Sequence, residues 1–255
     1  MSLVLRILLF VLIGSSSLFA TAYPYRKYEH IKSFYQDLTE PAIALALQYN
    51  VPPAAILAIA SVESGYGRGY VARITGNILS LGAGQEEKEL PALRLPTVLE
   101  NGQVLYDYKK IMKYKKEELA WKERPKSLKK DYRPASIAGT PEDLAYFDYH
   151  QKAKIQAQLA CIKDFVKKWI SEDKPFKPFK EARAFLDAEV KKHGKEVLFT
   201  ERLNQKFIEM IGGRKNSFNY RPTWPKKVKT ILQKAGIVEL TKAVYIDKKS
   251  FDEVW

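Results

Sequence analysis

Glu63 closes a run of nine positions, Ala54 to Val62, in which Ser61 is the one polar side chain. Gly65, Gly67 and Gly69 follow it. A carboxylate in that setting suits proton delivery. A helix that is apolar nearly all round must be buried, and Glu63 lies one turn beyond Ile59 and Ala60, on the face they share. Apolar walls disfavour the charged form and raise the pKa. A carboxylic acid kept protonated near neutral pH is what a general acid needs when it hands a proton to a leaving oxygen, a glycosidic one included. The glycines end the helix, turn the backbone sharply and leave room beside the acid for a bulky substrate. The alternative is a solvent-facing residue at a frayed helix end.

The elements that must position this acid read mainly as helices. Thr39-Glu40-Pro41 marks a helix start, A-I-A-L-A-L follows, and Asn50 is a stop. Val51-Pro52-Pro53 then opens the acid-bearing helix, because proline costs nothing in a first turn. From Ile155 to Ile170 apolar residues recur at spacings of three and four with lysines between them. Further helical patterns span Lys180–Lys192, Glu201–Ile211 and Pro225–Ala235. Between residues 84 and 146 charged runs and scattered prolines interrupt the pattern, and Asn101-Gly102 is suited to turn a small hairpin. The expected architecture is one mainly α domain, residues 23–255, with a small irregular, β-containing lobe.

Residues 1–22 are set apart from that domain. A basic start ending at Arg6, an apolar core and the small-residue pattern Ala20-Thr21-Ala22 have the layout of a cleavable export signal. The apolar core is short for a membrane span. An uncleaved anchor is the alternative; cleavage would leave no stable membrane insertion. The mature protein is therefore expected outside the cytoplasm, periplasmic or secreted. The chain of 255 residues carries a net charge of +14, or +13 once Arg6 is gone. So basic an exported protein is drawn to an anionic polymer or surface. Wall glycan with its acidic peptides and teichoic acids, or an anionic lipid face, suits that compartment better than nucleic acid, and charge alone does not choose. The single cysteine, Cys161, excludes an intrachain disulfide and falls among apolar helix positions, as a buried structural thiol would.

The run I-L-A-I-A-S-V-E-S-G-Y-G over residues 56–67, followed by G-N-I-L-S-L-G-A over 76–83, resembles the exported glucosaminidases of glycoside hydrolase family 73. Members carry an acid-bearing helix end reading E-S-x-W-G and then an N-x-F-G turn. Tyr66 stands here for the tryptophan, and Ser80 for the turn glycine. Phe147-Asp148-Tyr149 looks like the family's downstream F-R-x-Y element. The resemblance implies a lysozyme-like helical fold and cleavage of β-1,4 bonds in peptidoglycan, with Glu63 as general acid and glycan strands as the partner of a monomer that binds no nucleic acid. Such cleavage also calls for a base or charge stabiliser across the sugar ring. In the family a second acid follows in a T-x-E…G element, whose place is taken by L-P-T-V-L-E-N-G over residues 95–102. Glu100 is the choice and Asp107 the reserve, against exposed turn residues as the plain reading. Without a second carboxylate, the substrate's 2-acetamido group could act as nucleophile, or the enzyme could be a lytic transglycosylase, which needs one acid. A non-catalytic wall-binding or assembly module on the same scaffold is the rival from another class.

Aromatic rings complete a sugar site by stacking on the apolar faces of pyranoses. Tyr66 and Tyr149 are candidates, and so are Tyr220 and Trp224 in the stretch N-S-F-N-Y-R-P-T-W over residues 216–224. Tyr220 could donate to the acetamide or the developing charge. The plain reading has Phe218, Tyr220 and Trp224 packing the last helix on the core. Asn77 either bonds substrate or satisfies local backbone. His30, His150 and His193 are far apart and no H-E-x-x-H or cysteine pair exists, so no metal site is expected. No G-x-S-x-G elbow or phosphate-cradling loop is present, and no cofactor is expected.

Overall fold

The computed structural model describes residues 23–82, 93–123, 134, 141–172 (141–144 as backbone) and 176–255. The proposed export signal, residues 1–22, lies outside the described residues, as does much of the irregular stretch between 84 and 146.

The molecule is built around the helix that ends in Glu63. Helix α1 is Glu29–Gln48 and α2 is Pro53–Ser64. Ala54 to Ala60 are fully buried, as the unbroken apolar run requires. Around α2 pack α1 and three late helices, α8 (Glu201–Ile211), α9 (Trp224–Lys234) and α10 (Ile237–Tyr245). The side chain of Asn204 in α8 accepts the N–H of Ala55 at 2.8 Å, satisfying a donor that a proline-started first turn leaves without an intrahelical partner. Helix α3 is Tyr70–Thr75, and the small lobe follows with β1 (Arg94–Val98), α4 (Tyr108–Ile111) and β2 (Leu119–Glu123). Tyr70 and Ile74 of α3 share a separate apolar cluster with Leu93, Leu95, Val98, Leu105 and Ile111. The lobe thus has its own core, and the segment just after the acid carries it. Helices α5 (Pro141–Tyr149), α6 (Gln151–Asp164) and α7 (Lys177–His193), and the short α11 (Phe251–Val254), complete the order.

The mainly α architecture with a two-stranded lobe is the one read from the sequence, with three local differences. Helix α1 begins at Glu29, ten residues before the expected start, and runs through Pro41. An interior proline removes a backbone bond and costs about 3 kcal/mol, but Ile31, Phe34, Tyr35, Leu38, Ala42, Ile43 and Ala46 bury one continuous face. Burial of each large apolar side chain contributes roughly 1.5–3 kcal/mol, so the packed face outweighs the break. Asn101-Gly102 does turn the chain, with Gly102 N–H on Val98 O and Val98 N–H on Gln103 O, both 2.8 Å. The segment it returns makes only the Thr97–Val104 bridge. The antiparallel partner of β1 is instead β2, in register from Arg94 opposite Glu123 to Val98 opposite Leu119. Lastly, α6 widens at Phe165 into a π-helical run to Ser171, where the Ser171 hydroxyl donates to Val166 O five residues back at 2.7 Å. The wider turn lets Phe165, Val166 and Ile170 all face the core.

Candidate functional site

Helix α2 stops because Gly65 takes a left-handed conformation at φ 57°, which only glycine enters without strain. Ser64 then organises the turn. Its hydroxyl donates to Ala60 O at 2.6 Å and accepts Gly67 N–H at 2.8 Å, while its carbonyl accepts Gly69 N–H at 2.8 Å. A Cβ on Gly69 would lie 3.1 Å from that carbonyl, so this glycine permits a close backbone approach. The Ser80 hydroxyl reaches back to donate to the Glu63 carbonyl at 3.3 Å. Ser80 has φ 50°, a left-handed conformation that glycine enters most easily.

The Glu63 carboxylate is half-buried and its pKa is raised. Burial is the largest cause; hydrogen bonds from Trp224 and Asn219 and the field of Arg221 pull the other way without overcoming it. Both donors meet the same oxygen. The Trp224 indole N–H donates to Oε1 at 2.6 Å and the Asn219 amide at 3.4 Å, and no described residue bonds Oε2. The Asn219 amide is oriented by its other end, where Oδ1 accepts the N–H of Arg221 at 3.2 Å. Its backbone carbonyl accepts Gly213 N–H at 2.7 Å.

Trp224 is 3% exposed and stands at the start of α9. It packs against Gly212, where a Cβ would fall 2.1 Å from the ring. Its ring centroid lies 5.7 Å from that of Phe218, which in turn packs on Phe165 and Trp169. A wall of aromatic core therefore fixes the indole that fixes the acid.

The other sequence-derived candidates fall in different surroundings. Tyr66, at φ 60°, turns its ring edge-on into a cluster with His30, Phe34 and Tyr35 at 5.8, 6.0 and 6.2 Å. Asn77 is buried and closes its own turn, Nδ2 donating to Leu81 O at 3.0 Å and Oδ1 accepting Leu81 N–H at 2.9 Å. Tyr220, beside Asn219, is 70% exposed and Tyr149 is 85% exposed. Glu100 is exposed in the turn after β1. Asp107 caps α4, accepting the N–H of Lys109 at 2.8 Å. The fold thus brings Glu63, Trp224 and the Tyr220 loop together, and among the described residues no hydrogen bond or ion pair joins Glu100 or Asp107 to Glu63. Cys161 is fully buried with its thiol pushed up to about 12 by that burial. Among the described residues no group of three His, Cys, Asp or Glu side chains is placed to hold a metal ion.

Asn219 and Arg221 were not legible as partners of the acid. They sit more than 150 residues from Glu63 in sequence, and the Gly212-Gly213 pair ahead of them was the one local sign of a tightly built loop. Trp224 reads from the sequence either as a ring for sugar or as packing for the last helix; its burial against Phe218 fits the packing, and its bond to the carboxylate had no local sign.

No family model and no curated protein sequence matches the chain. Among solved structures, the catalytic domain of the autolysin Auto from Listeria monocytogenes is similar, with 12% sequence identity, a TM-score of 0.44, and coverage of 84% of this chain and 88% of that one. A likeness of that degree carries no residue correspondence and no activity.

Proposed function

We propose that this chain is a peptidoglycan hydrolase of the endo-β-N-acetylglucosaminidase type, built on a lysozyme-like plan and exported to the cell envelope, with Glu63 as its general acid. The observation that carries the reading is the asymmetry of the Glu63 carboxyl group. Trp224 and Asn219 both donate to Oε1, so the proton of the neutral acid belongs on Oε2. Burial favours that neutral form. Oε2 passes its proton to the glycosidic oxygen as the bond from that oxygen to the anomeric carbon breaks, and positive charge develops on the sugar ring. The carboxylate left behind is the form that the two donors and the Arg221 field stabilise, so the groups that do not prevent protonation beforehand absorb the charge afterwards. The substrate side in this reading is formed by the exposed rings of Tyr149 and Tyr220, free to stack on pyranose faces, while Tyr66, Asn77 and Trp224, engaged within the fold, shape the turn and hold the acid.

Glu100 is the proposed second carboxylate, supplied by the small lobe. A one-acid route is favoured by a separate observation: Glu100 lies exposed in a turn, and Asp107 is engaged as a helix cap. In that route the 2-acetamido group or the 6-hydroxyl of the sugar attacks, the latter making the enzyme a lytic transglycosylase. Residues 23–255 are expected to clear peptidoglycan embedded in a gel, and Glu63→Gln is expected to abolish clearing with an unchanged circular dichroism spectrum. An active Glu63→Gln variant would overturn the acid assignment, and an inactive parent would leave a wall-binding module. Mass spectrometry of the fragments separates the bond types: reducing N-acetylglucosamine for a glucosaminidase, reducing muramic acid for a muramidase, anhydromuramic ends for a transglycosylase.

A further inference from the structure

We propose that a pocket beginning at the turn after Glu63 accepts a carboxylate carried by the substrate, so that the protein tells glycan with acidic substituents from neutral glycan; this rests on the wall-glycan reading above. The pocket is a cavity of about 140 Å³ enclosed by α1, the 65–68 turn, α3, α5 and α6. One ordered water requires about 10–15 Å³ by that measure, so the space admits a small acyl group.

Its acidic lining residues are already engaged. Asp37 accepts from the Gln151 amide at 2.7 Å and faces the Lys154 ammonium at 3.6 Å. Both oxygens of Asp148 accept from the Arg73 guanidinium. What remains are donors: the Arg68 guanidinium, the Ser33 hydroxyl and the Gln158 amide, whose side chains have no partner among the described residues. The buried polar atoms of the lining that lack a partner among the described residues are the Tyr66 hydroxyl and Arg73 Nε, and a buried donor left without a bond costs about 1–3 kcal/mol. That penalty is relieved when an acceptor enters. Gly67 keeps the approach clear, since a Cβ there would stand 3.3 Å from Gln158 Nε2. The field has the matching sign: burial and then the cations Arg68 and Lys109 lower the pKa of the His30 imidazole in the pocket wall. A neutral sugar offers a guanidinium hydroxyl and acetamide oxygens but no opposite charge. A planar carboxylate accepts from guanidinium and amide together. On wall glycan, carboxylates belong to the lactyl group of peptide-free muramic acid and to the short acidic peptides that otherwise substitute it, so an acidic substituent on the strand is the property the pocket reads.

Calorimetric titration of residues 23–255 with N-acetylmuramoyl dipeptide and with neutral chitotriose tests this. Arg68→Ala, at a partly exposed position where folding is preserved, is expected to weaken the muramoyl dipeptide about tenfold or more and to leave chitotriose unchanged. Gln158→Leu should do the same, with its fold verified by circular dichroism. Unchanged dipeptide affinity in Arg68→Ala, or equal weakening toward both ligands, would overturn the pocket. Failure of the parent protein to cleave peptidoglycan would overturn the hydrolase reading instead, and the binding difference would still be measurable.

Discussion

At the scale of single residues, the behaviour of Glu63 is set by a contest between burial, which favours the neutral acid, and two donors that favour the carboxylate. Trp224→Phe keeps the aromatic volume and removes one donor. The pKa of Glu63 then rises further, so the limb on which activity is lost with increasing pH moves to higher pH. At the same time the carboxylate left after proton transfer loses a charged hydrogen bond worth about 1.5–3 kcal/mol, and kcat should fall roughly tenfold to a hundredfold. A pH–rate profile on soluble glycan fragments reads both effects. The same residue affects stability. Because its folded pKa is raised, Glu63 leaves stability intact below its unfolded pKa and diminishes it as pH rises through the folded value. Glu63→Gln should therefore have a higher Tm than the parent at about pH 8 and a nearly equal one at about pH 4, measured by thermal melts. Glu63 itself was visible in the sequence because burial of an unbroken apolar run follows from composition. Its partners were not, because a hydrogen bond between residues 63 and 224 is specified by helix packing and by no local pattern.

At the scale of elements, the acid is held by a stack in which each layer needs the next: Gly212 admits Trp224, Trp224 bonds Glu63, and Phe218 backs the indole. Gly212→Ala would drive a methyl group into the indole at 2.1 Å. Overpacking of this kind costs about 1–3 kcal/mol, and urea denaturation should show that loss along with lowered activity, since the displaced ring carries the Glu63 bond with it. Helix α1 offers the opposite case. In the sequence Thr39-Glu40-Pro41 has the form of a helix start, and no helix is read before it. In the structure Pro41 is an interior residue, and the Thr39 hydroxyl donates to Tyr35 O at 2.6 Å in the turn before it. Pro41→Ala should restore a backbone bond and raise stability by about 1–3 kcal/mol, read from the same denaturation curves. Local start signals and helical periodicity disagreed here, and buried area decided.

At the scale of the whole molecule, a charge of +14 on 255 residues makes attraction to an anionic polymer or surface a property of the chain more than of any one site. Binding to insoluble peptidoglycan should weaken steeply between about 0.05 and about 0.5 M salt, as the Debye length shortens from roughly 14 to roughly 4 Å; a pull-down at graded salt measures it. Binding that is indifferent to salt would locate the affinity in the cleft alone. The sequence by itself determined the central helix, its end at three glycines, the helices near Glu201–Ile211 and Trp224–Lys234, and the carboxylate of Glu63 at the end of the apolar run. These depend on apolar periodicity, on proline and glycine conformations and on the energy of desolvating a carboxylate, all of which act over a few residues. Tertiary structure alone decided that β1 pairs with β2, that α1 runs through a proline, that Trp224 and Asn219 grip one oxygen of Glu63, and that Glu100 stands exposed in a turn. Those outcomes join residues far apart in the chain. They are fixed by which faces bury most apolar surface when all the helices pack at once, and no stretch of sequence contains that sum.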